Sequence, residues 1–319
     1  MNLLSNIRFS VIVATSAVIL TACGRNGEQR VVAVADDTSG SQSVVRTLKL
    51  PTIPSGMVDP KERLAYVLGH YWDNMPWTDA TACRDTAFVE QSMVDFLDLL
   101  SHADSALVAD AYARFLGVLP TEMNSWLTDM TCEYLYTADS PVYDPEVFAV
   151  VAGEMLTKGN LEDYKCETLV YKRAEAMKNR RGTRAADFNF IDRDGVTACL
   201  SEAVGKADVT LIVFYDPDCS HCKEIIGRIA DIPLPAGVDV LAVDAEGDRS
   251  RWDATKSSMP AGWRVGFATT PILDKELYSL PASPTLYLLD RDATVIMKDP
   301  AVDEAIAFIT SPTTTNIHR

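Results

Sequence analysis

Residues 209–224 read VTLIVFYDPDCSHCKE, an apolar run that breaks at Asp216-Pro217 and then sets Cys219 and Cys222 three positions apart, with His221 between them. Two thiols at this spacing can serve zinc, haem attachment, a structural disulfide or disulfide exchange, and each chemistry needs different companions. A structural zinc site wants four ligands, whereas Cys83, Cys132, Cys166 and Cys199 stand singly with no second close pair. Haem attachment wants a histidine directly after the second cysteine, where Lys223 stands. Zinc and haem are thus the weaker alternatives, and the pair reads as a redox centre or a static disulfide.

For exchange, one sulfur must be exposed and nucleophilic and the other able to close the ring. If a helix starts at the pair, Cys219 sits at its N-terminus, where free N–H groups and the positive end of the helix dipole stabilise a thiolate. Cys222, one turn inside, is shielded. Cys219 is then the attacking sulfur and Cys222 the resolving one. A protonated His221 would favour the Cys219 thiolate and make the disulfide more oxidising, while a solvated neutral imidazole would change little. Asp216, Asp218 and Glu224 are the carboxylates closest in sequence, and Glu224 is the candidate to help deprotonate Cys222.

The elements that must position this pair follow from the flanking periodicities. Val209 to Tyr215 is a continuous β-branched and aromatic run, as expected of a buried central strand. His221 to Ala230 has helical spacing, and Val238 to Val243 reads as a strand. Asp187–Ile191 and Val196–Leu200 flank the turn Asp192-Arg193-Asp194-Gly195, and Thr285–Leu289 with Thr294–Met297 form a second hairpin before a helix over Val302–Ile309. The order ββ, β, α, β, α, β, β, α is an α/β sandwich. Upstream, from Asp59 to about Arg181, the apolar spacing is helical: Leu64, Val67, Leu68, Tyr71 and Trp72 begin it, with Asp59-Pro60 as N-cap and first-turn proline. Further helices are expected over Phe88–Leu100, Leu107–Leu116, Met123–Leu135, Glu146–Leu156 and Leu161–Met177.

A chain of 319 residues with 47% hydrophobic content suits two globular domains. Its formal net charge of -16 argues against nucleic acid as a partner, because binding phosphates requires clustered Lys and Arg. Phe9 to Leu20 is an apolar run too short to span a bilayer permanently and reads as a signal peptide. Gly24 to about Pro54 is small and polar, as a tether would be. The expected organisation is a signal peptide over 1–22, a tether over 23–57, a helical domain over 58–180, a second domain over 181–312 and a tail over 313–319.

The stretches NRRGTRAADFNFIDRDGVTACL, VTLIVFYDPDCSHCKEI and LPASPTLYLLD resemble, in that order, the entry hairpin, redox strand and helix, and proline loop of the thioredoxin-like superfamily, of the TlpA and AhpC/TSA kind. The likeness covers about 180–312. It implies an α+β two-domain chain, an all-helical N-terminal domain followed by a thioredoxin-like α/β sandwich, with Cys219 and Cys222 as the catalytic pair. It also implies that Ser283 and Pro284 form a cis-proline loop facing the cysteines, to which an extended substrate could pair. One departure stands out: the buried acid that many thioredoxins carry six residues before the first cysteine is Val213 here. The helical half, with GHYWDNMPWTD at 69–79, resembles a domain of unknown function that precedes such domains in bacterial envelope lipoproteins. Leu20-Thr21-Ala22-Cys23 resembles a lipobox, in which the cysteine is lipidated and becomes the mature N-terminus.

The resulting expectation is a membrane-anchored thiol-disulfide oxidoreductase of the cell envelope, with the outer membrane the favoured location and the folded part facing the periplasm or the surface. Its redox-active Cys219–Cys222 disulfide would need no other cofactor and no metal. Its partners would be protein thiols or disulfides, an electron-exchange protein and, through lipid on Cys23, the membrane. The alternative is a binding or scaffolding lipoprotein whose thioredoxin domain is degenerate or structural. A thiol peroxidase fits less well, since Pro217 is too near Cys219 for the Pro-x-x-x-Thr/Ser-x-x-Cys frame of that family. Replacing Cys23 by Ala should release the protein from the membrane fraction. An alanine variant that still sediments with membranes, beside a parent lacking acyl mass, would remove the anchor.

Overall fold

Aspartates open six of the helices. Asp59, Asp79, Asp85, Asp104, Asp144 and Asp248 each accept backbone N–H groups of the first turn, which employs part of the acidic excess where the helix dipole favours it. The computed structural model describes residues 46–245 and 247–311. The expected signal peptide, Cys23, the tether up to residue 45 and the 313–319 tail lie outside the described residues. Seven helices come first: α1 (Pro60–Gly69), α2 (Ala80–Cys83), α3 (Thr86–Leu100), α4 (Ser105–Val118), α5 (Thr121–Tyr136), α6 (Pro145–Lys158) and α7 (Asp163–Met177). Pro60 and Pro145 occupy first-turn positions, where a missing N–H costs nothing. Tyr71, Trp72, Trp77, Phe96, Tyr112 and Phe115 stack into one aromatic cluster in the core of this half. Tyr71, Trp72 and Met75 of the GHYWDNMPWTD stretch are therefore core, with the Tyr71 hydroxyl satisfied by the Ser92 carbonyl at 2.9 Å.

The stretch expected as tether through residue 57 is already seated on this half from Arg46 onward. Leu48 packs on the helical core, the Lys49 carbonyl accepts from Asn74 Nδ2 at 2.9 Å, and Arg46 lies over the Phe88 ring. Apolar and cationic side chains make those contacts worth forming, and the polarity of the neighbouring residues hid them.

The second half runs β1 (Asn189–Asp192), β2 (Thr197–Cys199), α8 (Leu200–Val204), β3 (Val209–Tyr215), α9 (Ser220–Ala230), β4 (Val238–Asp244), α10 (Arg249–Thr255), β5 (Arg264–Ala268), β6 (Thr285–Asp290), β7 (Val295–Lys298) and α11 (Val302–Thr310). The strands form one sheet in the order β2-β1-β5-β4-β3-β6-β7. β4 runs parallel to β3 and to β5, while β6 is antiparallel to β3. All seven residues of β3 are buried, because both faces of the sheet are covered. Val209, Leu211, Val213 and Tyr215 face a cluster closed by α9, α10 and α11; Ile212 and Phe214 face the opposite cluster, with α8, Ile272 and Tyr278.

β5 is the strand that periodicity overlooked. It is five residues long and interrupted by Gly266, where a Cβ would fall 2.6 Å from the Phe190 ring of β1. Leu200, expected to end the first hairpin, instead begins α8.

Helices thus fill the N-terminal half and a seven-stranded sheet the C-terminal half, with separate apolar cores that belong to one compact unit. Polar contacts join them. Lys298 Nζ, on β7, donates to the carbonyls of Ala176 at 2.7 Å, Lys178 at 2.6 Å and Glu175 at 3.3 Å, so it caps the C-terminus of α7. Beside it, the Tyr143 hydroxyl donates to Asp299 at 2.9 Å. Glu146 receives Arg180 Nε at 2.7 Å and the Arg181 amide at 2.8 Å across the junction.

Burial pushes the Lys298 ammonium down to about 8 from the ordinary 10.5, although Glu146, Asp299 and Glu175 oppose the shift. Between these values the unfolded chain binds more protons than the folded one, so this lysine adds stability as pH rises across that window. Lys298→Met leaves the α7 carbonyls without their donor and should cost about 2 kcal/mol at pH 7 in a denaturant titration. The stability gap between parent and variant should widen from pH 8 to pH 10.5; a gap that is absent at pH 7, or constant with pH, would refute this account.

Candidate redox site

The loop between β3 and α9 is tied by its own backbone. The Cys219 amide donates to the Asp216 carbonyl at 3.2 Å, and the Asp218 amide to Asp216 Oδ1 at 2.8 Å. Cys219 is thereby delivered as the N-cap of α9, where its sulfur accepts the Cys222 amide N–H at 3.1 Å. The expected helix start is present, one residue earlier than the spacing indicated. From across the sheet edge, the Ser283 carbonyl lies 3.5 Å from Cys219 Sγ and accepts its thiol proton. The Ser283-Pro284 peptide is cis. Cys219 is half-buried, whereas Cys222 is fully buried within the apolar cluster under α9.

That asymmetry has an electrostatic counterpart. Desolvation, and then the neighbouring Cys219 sulfur, pushes the Cys222 thiol up to about 11, against opposing contributions from the Asp216 backbone and the Ser283 side chain. Val213, in the position of the acid expected by resemblance, belongs to the same apolar cluster as Cys222. His221 and Glu224 point to solvent, with side chains 63% and 66% exposed, and approach each other at 3.7 Å. The sequence-nominated residues therefore divide into two groups. Cys219, Cys222, Ser283 and Pro284 converge; His221 and Glu224 face outward near the start of α9. Cys83, Cys132, Cys166 and Cys199 are free thiols.

Sequence reasoning missed the wall beside the pair. Arg251 of α10 reaches Asp218 at 2.7 Å and Asp216 at 3.7 Å, bracing the cysteine loop from more than thirty residues away. A cavity of 380 Å³ opens there, lined by Tyr215, Asp216, Asp244, Asp248, Arg251 and Ser283 at the carboxyl ends of the parallel strands. The Asp216-Pro217-Asp218 turn carried a local signal, but nothing near it announced Arg251.

Residues 22–179 match the family described as a domain of unknown function (DUF5106). No curated protein matches the chain. Among solved structures, a thioredoxin-like protein from Bacteroides caccae is similar over 86% of this chain and 100% of its own, with 27% identity and a TM-score of 0.74. A conserved protein of unknown function from Bacteroides fragilis is 33% identical over 41% of this chain and 99% of its own, with a TM-score of 0.39. A thiol:disulfide interchange protein from Bacteroides sp. is 17% identical over 45% of this chain and 99% of its own, with a TM-score of 0.35. The first of these likenesses spans both halves and supports a redox-type, thioredoxin-like fold in a two-domain arrangement.

Burial and the high thiol value of Cys222 predict unequal reactivity. In the reduced protein at pH 8, iodoacetamide should label Cys219 well before Cys222, which burial keeps in the thiol form there. Peptide mass spectrometry over a time course separates the two sites. Equal rates would mean that the two sulfurs share one environment.

Proposed function

We propose that the protein is a thiol-disulfide oxidoreductase of the cell envelope, held to a membrane by lipid on Cys23, with Cys219 as nucleophile and Cys222 as resolving thiol. What supports this reading above all is the placement of Cys219 Sγ, capped by the Cys222 amide at 3.1 Å, facing the Ser283 carbonyl at 3.5 Å and more accessible than its buried partner. A thiolate at that position is stabilised by the first-turn N–H groups of α9.

The Cys219 thiolate attacks one sulfur of a client disulfide. A Cys219–client bond forms, the client's S–S bond breaks, and its other sulfur leaves as a thiolate that takes a proton from water. Cys222 then loses its proton, its thiolate attacks Cys219 Sγ, and the second client sulfur departs. The client gains two electrons and the pair becomes a disulfide; run in reverse, the same steps oxidise a client dithiol. The exposed Ser283 backbone offers an edge for an extended client. His221 would favour the thiolate when protonated, and Glu224 would relay the Cys222 proton through water.

The scaffolding alternative is favoured by one observation. Val213 supplies no acceptor for the buried Cys222 proton, so resolution is slow if no other group takes it.

Expressed in its native envelope, Cys222→Ser should accumulate mixed disulfides with client proteins through Cys219, seen as reducible adducts on non-reducing gels. Cys219→Ser should accumulate few. An absence of adducts in both variants, beside a parent whose Cys219–Cys222 pair stays oxidised throughout, would favour the scaffold.

A further inference from the structure

The loop that brings Ser283 to Cys219 runs from Pro271 to Pro284 between β5 and β6, and its backbone carbonyls are gripped one after another. The Leu277 carbonyl accepts from Asn179 Nδ2 at 2.8 Å, the Ser279 carbonyl from the Tyr287 hydroxyl at 3.1 Å, and the Ala282 carbonyl from Thr285 Oγ1 at 2.7 Å. Tyr278 is buried between these points, with its hydroxyl on the Ala186 carbonyl at 2.7 Å. Three of these four anchoring side chains belong to the sheet half or to the loop itself. The fourth, Asn179, follows the C-terminus of α7 and is the last residue of the stretch that matches the domain of unknown function.

Asn179 is held for this task from both sides. Its Oδ1 accepts the Ala186 amide at 2.8 Å while its Nδ2 holds Leu277, so one amide side chain spans the entry to β1 and the loop. Its backbone is left-handed, at φ 46°, a conformation asparagine tolerates better than most residues. The preceding turn cannot drift, because Lys298 binds the carbonyls of residues 175, 176 and 178. Lys298 itself is the register partner of Tyr287, whose hydroxyl grips Ser279. The end of α7 and the loop are thus fastened to the same place on the sheet.

We propose that the helical half positions the redox site: through Asn179, the end of α7 sets the 271–284 loop so that the Ser283 backbone stands at the correct height over Cys219. Asn179 is a positioning residue, remote from the reacting sulfurs. The inference rests on the oxidoreductase reading and adds to it a role for the helical half in recognising extended disulfide substrates. Its physical basis is that an edge which pairs with a peptide must be fixed before the peptide arrives, or the ordering cost falls on the complex.

The test compares two substrates of the full-length reduced protein. One is an extended peptide disulfide, which needs the Ser283 edge; the other is dithiodipyridine, a small neutral disulfide with no backbone to pair. Asn179→Asp keeps the acceptor for the Ala186 amide and the left-handed backbone but loses the donor to Leu277. Asn179→Gly keeps the backbone and loses both bonds without adding charge. In both variants the rate with the peptide disulfide should fall about tenfold, the scale of one lost hydrogen bond, while the rate with dithiodipyridine stays within about twofold. Equal losses on both substrates, or a lowered melting temperature with both rates intact, would overturn the positioning role and leave Asn179 a structural residue. A parent protein that reacts with neither disulfide would overturn the oxidoreductase reading, and this inference with it.

Discussion

Strand β3 has to be dry on both faces. All seven of its residues are buried, from Val209 to Tyr215, and it delivers Cys219 at its carboxyl end. Such a strand is stable only if something apolar covers each side. On one side α9 does so, and the same packing that buries Ile225, Ile226 and Ile229 buries the Cys222 sulfur. On the other side no long helix is available from this half of the chain. α8 covers part of it with Leu200, Ala203 and Val204, the segment before β1 adds Phe188 against Phe214, and the long loop before β6 supplies Ile272 and Tyr278. The loop that completes the core is therefore also the loop that carries Ser283 to Cys219. Core packing and site geometry are one requirement.

The acidic side chains of the chain are mostly placed where a helix terminus or a cation receives them, although Asp244 is buried in the lining of the cavity beside the site. Aspartates cap helices at the surface, and Asp216 and Asp218 of the cysteine loop are paired with Arg251. Under α9 the environment is apolar, with Val213 beside Cys222. Burial holds the Cys222 thiol protonated and leaves Cys219 as the sulfur in contact with an amide N–H and solvent. The contrast between the two sulfurs thus comes mostly from solvation.

Much of the fold was legible because it is local. Hydrophobic period identified α3 to α7, the continuous run of β3 and both hairpins, each within a residue or two of its observed ends, but it carried the first helix through Trp72, past its end at Gly69, and missed the four-residue α2. The cysteine pair was legible for the same reason: four consecutive residues contain both sulfurs and the helix start. Gly266 hid β5, since its missing side chain answers to Phe190 on another strand. Residues 46–57 looked like linker because they carry no periodic apolar pattern, while contacts such as those of Arg46, Leu48 and the Lys49 backbone seat them.

By itself, then, the sequence determined a helical half followed by a strand-rich half, the strand, cysteine pair and helix of the site, and the acidic composition, all of which depend on near neighbours along the chain. Tertiary structure alone decided that Ser283 lies 3.5 Å from Cys219, that Arg251 braces the cysteine loop, and that Asn179 and Lys298 join the halves. Those contacts span from 33 to more than 120 positions in the chain. No periodicity reaches so far, because the pairing is set by which faces must be covered once the strands have assembled.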